Sequence, residues 1–182
     1  MTGSADDLFV VQQHFIDSLS CATSPVFASP CRLLDIGSGA GFPGIPLKIL
    51  LPELRLTAID AVTKKVMFLR QLCRSLALQH VECLAIRLGE SSAAPIPSLE
   101  TFDVIVSRAV GALPHLLDLA LPYLAPDGYC VFQRGQHALQ EIGEHADDIR
   151  RSGCRVVDVQ KIHLSFLEHP RYLVRLGFEN KA

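Results

Sequence analysis

LLDIGSGAGFPGIP (Leu33–Pro46) joins an apolar run to an acid, sets glycines at alternate positions, and continues as Phe-Pro-Gly-Ile-Pro. The run CRLLDI (31–36) has the length and character of a buried strand, and IPLKILL (45–51) reads as the helix after it. Pro46 falls in the first turn of that helix, where a missing N–H costs little, and Pro52 closes it. Gly37 and Gly39 allow the backbone to turn sharply and to approach a ligand with no Cβ in the way, and Gly41 eases entry into the helix. In open α/β sheets ligands bind beyond the carboxyl ends of the strands, and the first strand–helix turn is the usual place.

The same alternation extends along the chain. LRLTAID (54–60), VECLAIR (81–87) and FDVIVS (102–107) read as strands. KKVMFLRQLCRSLAL (64–78) puts Val66, Leu69, Leu72, Cys73 and Leu76 on one helical face. SSAAPIPS (91–98) reads as a loop, ALPHLLDLALPYL (112–124) as a helix, and APDGYCVFQRG (125–135) as a turn followed by a strand. HALQEIGEHADDIRRSG (137–153) reads as one polar amphipathic helix capped at Gly153. CRVVDVQKI (154–162) and RYLVRLGF (171–178) are strands with no helix between them, which predicts an antiparallel hairpin at the sheet edge. HFIDSLSCA (14–22) predicts a short helix outside this pattern. The expected architecture is therefore α/β, a mostly parallel sheet covered by helices on both faces. At 182 residues the chain is expected to form one domain, with a core over 31–182 and a helical N-terminal extension over 1–30.

The glycine spacing restricts what the turn can hold. A dinucleotide fingerprint needs glycine at position 42, where Phe42 stands, and no Gly-Lys-Ser/Thr follows to make a phosphate-binding loop. An acid-x-Gly-x-Gly-x-Gly turn after the first strand points to the class I, Rossmann-like fold of S-adenosylmethionine (SAM) methyltransferases. A nicotinamide or flavin cofactor and an empty structural turn are the alternatives. Asp60, at the end of the second strand, is placed to accept hydrogen bonds from a ribose diol.

Composition excludes some classes. The chain is 49% hydrophobic and 20% charged, with a formal net charge of −2, so bulk charge gives no argument for a nucleic-acid partner. No apolar window is long enough for a membrane span, and MTGSADDLFVVQQ lacks the basic and apolar regions of a secretory signal; a cytoplasmic location and no membrane partner are expected. The six cysteines form no C-x-x-C pair and read as small reduced hydrophobes; no metal site is expected.

Five blocks in order resemble one family. DIGSGAGFPGIPLKILLP, with HFIDSL (14–19), KKVMFL (64–69), SRAV (107–110) and RYLV (171–174), is similar to the GidB-type (RsmG) methyltransferases, which modify N7 of a guanine in 16S ribosomal RNA. The likeness runs from about residue 8 to the end. It implies that Gly37 and Phe42 line the cofactor from the first turn, to which the reading of the turn itself adds Gly39 and Gly41. Leu88 and Gly89 would contact its adenine end, and Arg108 would border cofactor and substrate as the catalytic candidate. It agrees with Asp60 as the ribose acceptor. Three departures stand out. Only thirteen residues precede His14, where the family has some tens; Gly89 replaces the first carboxylate of the family's Arg-x-Glu-Glu, although Glu90 keeps the second; and Arg134-Gly135 stands for Lys-Gly. The implied partner is 16S ribosomal RNA or the small ribosomal subunit, and a monomer is expected. SAM chemistry on another substrate, or a non-catalytic RNA-binding module with a degenerate turn, are the rival readings.

Each residue also has a plainer reading. Arg108 suits a surface ion pair, and His14 a packing or capping role. Lys64 and Lys65 sit at a helix start, where the dipole disfavours cations; this fits either a phosphate partner or a solvated end. Ser107 has no base partner at a suggestive spacing.

Overall fold

Leu33 and Leu34 are adjacent on one strand and belong to two different cores, because side chains alternate across a sheet. The same split recurs where Val104 and Val106 face one side and Ile105 the other, and where Val131 and Phe132 part. Strands buried on both faces must be covered by helices on both faces, and they are. The computed structural model describes residues 7–89, 99–108 and 111–179.

Seven strands form one sheet: β1 (Arg32–Ile36), β2 (Arg55–Asp60), β3 (Val81–Ala85), β4 (Phe102–Arg108), β5 (Leu124–Arg134), β6 (Cys154–Ile162) and β7 (Arg171–Phe178). Their order is β3-β2-β1-β4-β5-β7-β6. The first five are mutually parallel, and β7 runs antiparallel to both β5 and β6. The late pair is therefore antiparallel as expected, but the last strand lies inside the sheet and β6 forms the edge. Strand order reverses between β1 and β4, the switch point beside which such sheets bind ligands.

The helices are α1 (Asp7–Val10), α2 (Asp17–Leu19), α3 (Gly44–Leu50), α4 (Thr63–Ser75), α5 (Leu113–Ala120), α6 (Ala138–Glu144) and α7 (Ala146–Arg151). Helices α3 and α4 cover one face through Leu47, Val66 and Leu69; α5, with Ala138 and Ile149, covers the other. Among the described residues no helix is long and apolar enough to cross a membrane. Five of the six cysteines are buried, Cys31 partly so, and all are free.

Three elements differ from the sequence reading. The segment read as one helix over 137–153 breaks at His145, just after Gly143, a residue of poor helix propensity; His145 Nδ1 then lies 3.1 Å from Asp148 Oδ2 in the first turn of α7. Strand β5 starts at Leu124 and carries the expected turn as an irregularity in its pairing with β4. The stretch around 14–22 is a compound run, π-helical over Val11–Ile16 between α1 and α2 and 3-10 over Ser20–Thr23. The loop expected at 91–98, Glu90 and the last two residues of SRAV lie outside the described residues.

Helix α4 ends in a Schellman motif. Leu78 N–H donates to Cys73 O and Ala77 N–H to Arg74 O, both at 3.0 Å, which requires Ala77 at φ 50°. That left-handed conformation suits glycine, so Ala77→Gly is expected to raise unfolding stability by about 0.5–1 kcal/mol in urea denaturation. No gain would mean that the unfolded chain's extra freedom cancels the relieved strain.

Candidate functional site

The glycine turn is tied to β2 before any ligand is considered. The N–H groups of Gly37 and Ser38 both donate to Ile59 O, at 2.9 and 3.0 Å. Gly37 (φ 71°) and Gly39 (φ 59°) take left-handed conformations. Asp60, expected as the ribose acceptor, is part of the same unit. Its Oδ2 accepts from Gly39 N–H at 3.0 Å and Oδ1 from Val62 N–H at 2.9 Å. Lys65 completes the group at 3.4 Å from Oδ2, and its side chain is 51% exposed. The contact is long and its Lys65 end is solvated, although Asp60 is buried, so it contributes little and a ligand hydroxyl can replace it. Lys65 therefore has a carboxylate partner.

The glycines divide by what surrounds them. Among the described residues a Cβ on Gly39 would have only Gly37 O nearby, at 3.8 Å, so the turn is open to them there. A Cβ on Gly41 would meet Ile45 Cγ1 at 2.7 Å, and one on Gly44 would meet Asp35 Oδ2 at 2.7 Å. Gly41 is small because α3 and α4 pack on it through Ile45 and Leu69, and Gly44 because the start of α3 packs on Asp35 and Leu56 of the sheet. Gly89 follows β3 at φ 84°, and its Cβ would lie 2.9 Å from Leu119, so the backbone itself calls for glycine where the resembling family has an acid. Leu88 beside it packs against the α5 core.

The start of α3 argues about ligand class. Gly44 N–H donates to Asp35 Oδ2 at 2.9 Å, Ile45 N–H to Gly41 O and Leu47 N–H to Pro43 O, while Pro46 has no N–H. The donors that the first turn of α3 would offer a pyrophosphate are spent, and the group beside them is a carboxylate. What remains is an open glycine surface beside an acid. That suits a nucleoside cofactor carrying no phosphate, and SAM is such a group.

Asp35 is fully buried, and burial raises its pKa from 3.8 to about 6, against the lowering hydrogen bond from Gly44. The unfolded chain gives up this proton near pH 4, the folded chain near pH 6. The group therefore weakens the fold as pH rises through that window, by about 3 kcal/mol when complete. Asp35→Asn, whose carbonyl can still accept from Gly44, is expected to gain on the wild type by that amount between pH 4 and 7.5 in urea melts. A pH-independent difference would show that the carboxyl titrates normally.

On the other side of the switch point lies a cavity of about 530 Å³, walled by the N-terminal run and by the ends of β4, β5 and β7. Its organising group is Asp17, which is 2% exposed. Arg171 Nε donates to Asp17 Oδ1 at 3.1 Å, Gln133 Nε2 to the same oxygen at 2.9 Å, and Arg108 Nη1 to Oδ2 at 3.4 Å. A buried carboxylate is tolerated when paired in this way. Arg108 also stacks over the Phe42 ring, its Cζ 5.0 Å from the centroid, and Nη2 lies 3.2 Å from His14 Nδ1. His14 is itself stacked on Phe42 at 5.2 Å.

Burial, then the Arg108 charge, lowers the His14 pKa against the pull of Asp17, so the ring is neutral at pH 7. A guanidinium can only donate, so Nδ1 accepts and the proton resides on Nε2. That atom and Gln133 Oε1 are buried without a hydrogen-bond partner among the described residues. On the far wall Arg134 forms a two-bond pair with Glu141, at 3.0 and 2.5 Å, and Glu141 Oε1 caps Leu113 N–H at the start of α5. Burial raises the Glu141 pKa, but these donors outweigh it and the carboxyl lies below its usual range. Ser107 Oγ donates to Ile36 O at 2.8 Å and is buried, a structural role.

The structure thus joins Gly37, Gly39 and Asp60 in one unit, and Phe42 with Arg108 in another. Leu88 and Gly89 occupy the loop after β3, adjacent to β2. Sequence reasoning gave no role to Asp17, Gln133 or Arg171. The signal available was a lone acid in one resembling block and a lone arginine in another.

The GidB family, described as rRNA small subunit methyltransferase G, matches residues 1–169. The ribosomal RNA small subunit methyltransferase G of Roseiflexus sp. (strain RS-1) is 40% identical over 174 residues, covering 96% of this chain and 73% of that protein. Its counterpart in Geobacter sp. (strain M21) is 37% identical over 180 residues, covering 97% and 79%. A SAM-dependent methyltransferase from Aquifex aeolicus shares the fold, with a TM-score of 0.62 at 18% identity and 94% coverage of each chain. The chain belongs to the GidB family of small-subunit ribosomal RNA methyltransferases.

Proposed function

We propose that this protein is a SAM-dependent methyltransferase that methylates N7 of a guanine in 16S ribosomal RNA. Family membership supports the substrate class. The observation that carries the site is convergence: His14, Asp17, Phe42, Arg108 and Arg171, from four separated sequence blocks, meet at the carboxyl ends of the strands beside an open glycine turn.

In this reading Gly37, Gly39, Gly41, Phe42 and Asp60 hold the cofactor over the ends of β1 and β2, with Leu88 and Gly89 at its base. Bound SAM supplies a methyl carbon on a sulfonium, open to in-line displacement by the N7 lone pair. Guanine N7 carries no proton, so the chain need supply no general base. The cavity groups agree with this, because Asp17 and Glu141 are tied to arginines. The chain's task is alignment and exclusion of water. Arg108, at the seam between the turn and the cavity, holds the base or its phosphate. An exposed base in a folded loop fits better than a duplex, whose narrow groove hides N7. The protein acts as a monomeric single domain, with residues 31–182 as the methyltransferase core, in the cytoplasm on ribosomal RNA or the small subunit.

The test is incubation with methyl-labelled SAM and either free ribosomal RNA or small subunits, then digestion and identification of the labelled nucleoside. Label in 7-methylguanosine at one position is expected. Label elsewhere changes the substrate, and no transfer with intact SAM binding leaves a binding module.

A further inference from the structure

Asp17 is a buried carboxylate with three side-chain partners, yet it lies in the N-terminal run, outside the sheet. Its two oxygens are shared among Arg171, Gln133 and Arg108. Gln133 Nε2 also donates to the Asp17 carbonyl at 2.8 Å. This fixes the Gln133 amide, because a carboxylate and a carbonyl can only accept. Of the groups lining the cavity, His14 and Arg108 both touch Phe42 of the cofactor turn; Arg108 is the charged one, and Asp17 is its carboxylate partner.

We infer that Asp17 is a positioning residue for the transfer step, acting through Arg108; this rests on the function proposed above. Two physical effects follow from the geometry. The carboxylate, held rigidly by Arg171 and Gln133, fixes where the Arg108 guanidinium lies along the Phe42 ring. A solvated partner on a flexible arm would not do so. The carboxylate also cancels a charge problem. Methyl transfer turns a sulfonium into a neutral thioether and places the positive charge on the purine. An unpaired guanidinium next to that purine would oppose the transfer, whereas one bearing a buried carboxylate opposes it far less. Asp17 thus allows an arginine to grip an anionic substrate beside a product that becomes cationic.

The test is a double-mutant cycle on the full chain with labelled SAM and small subunits. Asp17→Asn keeps the size of the side chain and can still accept from Gln133. Its expected effect is a fall in kcat of about 30-fold or more, with the Kd for SAM near wild type in calorimetry. In an Arg108→Ala background the same substitution is expected to cost little further. Multiplying, independent losses, or a loss that tracks the unfolded fraction in a thermal melt, would overturn the assignment and leave Asp17 structural. If Asp17→Asn does not fold, Asp17→Glu retains the charge but displaces it by one methylene. A fall in kcat with unchanged SAM affinity supports positioning, and wild-type turnover overturns it. Wild-type protein that transfers no methyl to RNA removes the function and this inference together. Wild-type turnover with an additive cycle removes the inference alone.

Discussion

Arg108→Ala is expected to lower kcat/KM for small-subunit RNA by about 100-fold or more while SAM still binds. The guanidinium makes contacts to Asp17 Oδ2, Gln13 O and His14 Nδ1 at 3.2–3.4 Å and stacks on Phe42, so it is held in one place before substrate arrives. An alanine removes that grip and leaves a gap at the seam between cofactor turn and cavity. The fold should survive, because Asp17 keeps Arg171 and Gln133 as partners at 3.1 and 2.9 Å. A loss of about 1–3 kcal/mol in stability is expected, from hydrogen bonds to a charged group. Arg108→Lys should recover little, since an ammonium cannot lie flat on Phe42 while bonding Asp17 and His14 together. Turnover is measured at saturating SAM with varied subunit concentration. Wild-type values in the alanine variant would reduce Arg108 to a strut between the N-terminal run and β4.

These expectations draw on two kinds of information that the sequence carried unequally. The strand–helix alternation, the glycine turn and the position of Asp60 at the end of the second strand were readable because each depends on neighbours a few residues away. Periodicity and turn chemistry are local properties, and the turn with Asp60 follows from strand order in any such sheet. The Asp17 knot was not readable in the same way. Asp17 meets Gln133 across 116 residues and Arg171 across 154, and no local pattern encodes a contact at such separation. The blocks holding Asp17 and Arg171 could be recognised by resemblance, but not that they touch. A similar gap explains Asp35. Its position at the end of a strand was plain, whereas its role as a buried cap on Gly44, which removes α3 as an anion site, needed the closed turn. The break at His145 and the π-helical run over Val11–Ile16 lie between those cases. Gly143 signals the first, and tertiary pairing of Gln13, His14 and Asp17 with Arg108 accompanies the second.

The two kinds of glycine in the turn should separate ligand binding from folding. Gly39→Ala adds a methyl where, among the described residues, only Gly37 O lies nearby, at 3.8 Å, so the new bulk faces the open side of the turn. Its φ of 59° costs an L residue about 1–2 kcal/mol, a modest loss of stability. The Kd for SAM is expected to rise by about thirtyfold or more, about 2 kcal/mol, because the cofactor must approach the backbone at that point. Gly44→Ala does the reverse. Its methyl would lie 2.7 Å from Asp35 Oδ2 and 3.0 Å from Leu56 Cδ1, both in the packed interior. Neither can withdraw without disturbing the buried carboxylate or the core on which α3 rests. Overpacking together with a strained Gly44–Asp35 hydrogen bond is expected to cost about 2–4 kcal/mol, a fall in Tm of roughly 5–15 °C. Calorimetry with SAM and thermal melts on both variants read the two axes independently. Gly39→Ala with wild-type affinity would take the turn out of the cofactor site, and Gly44→Ala with a wild-type Tm would show that the Asp35 cap is free to shift. If both hold as expected, the alternating glycines are two overlapping devices, one that leaves room for a ligand and one that leaves room for a helix.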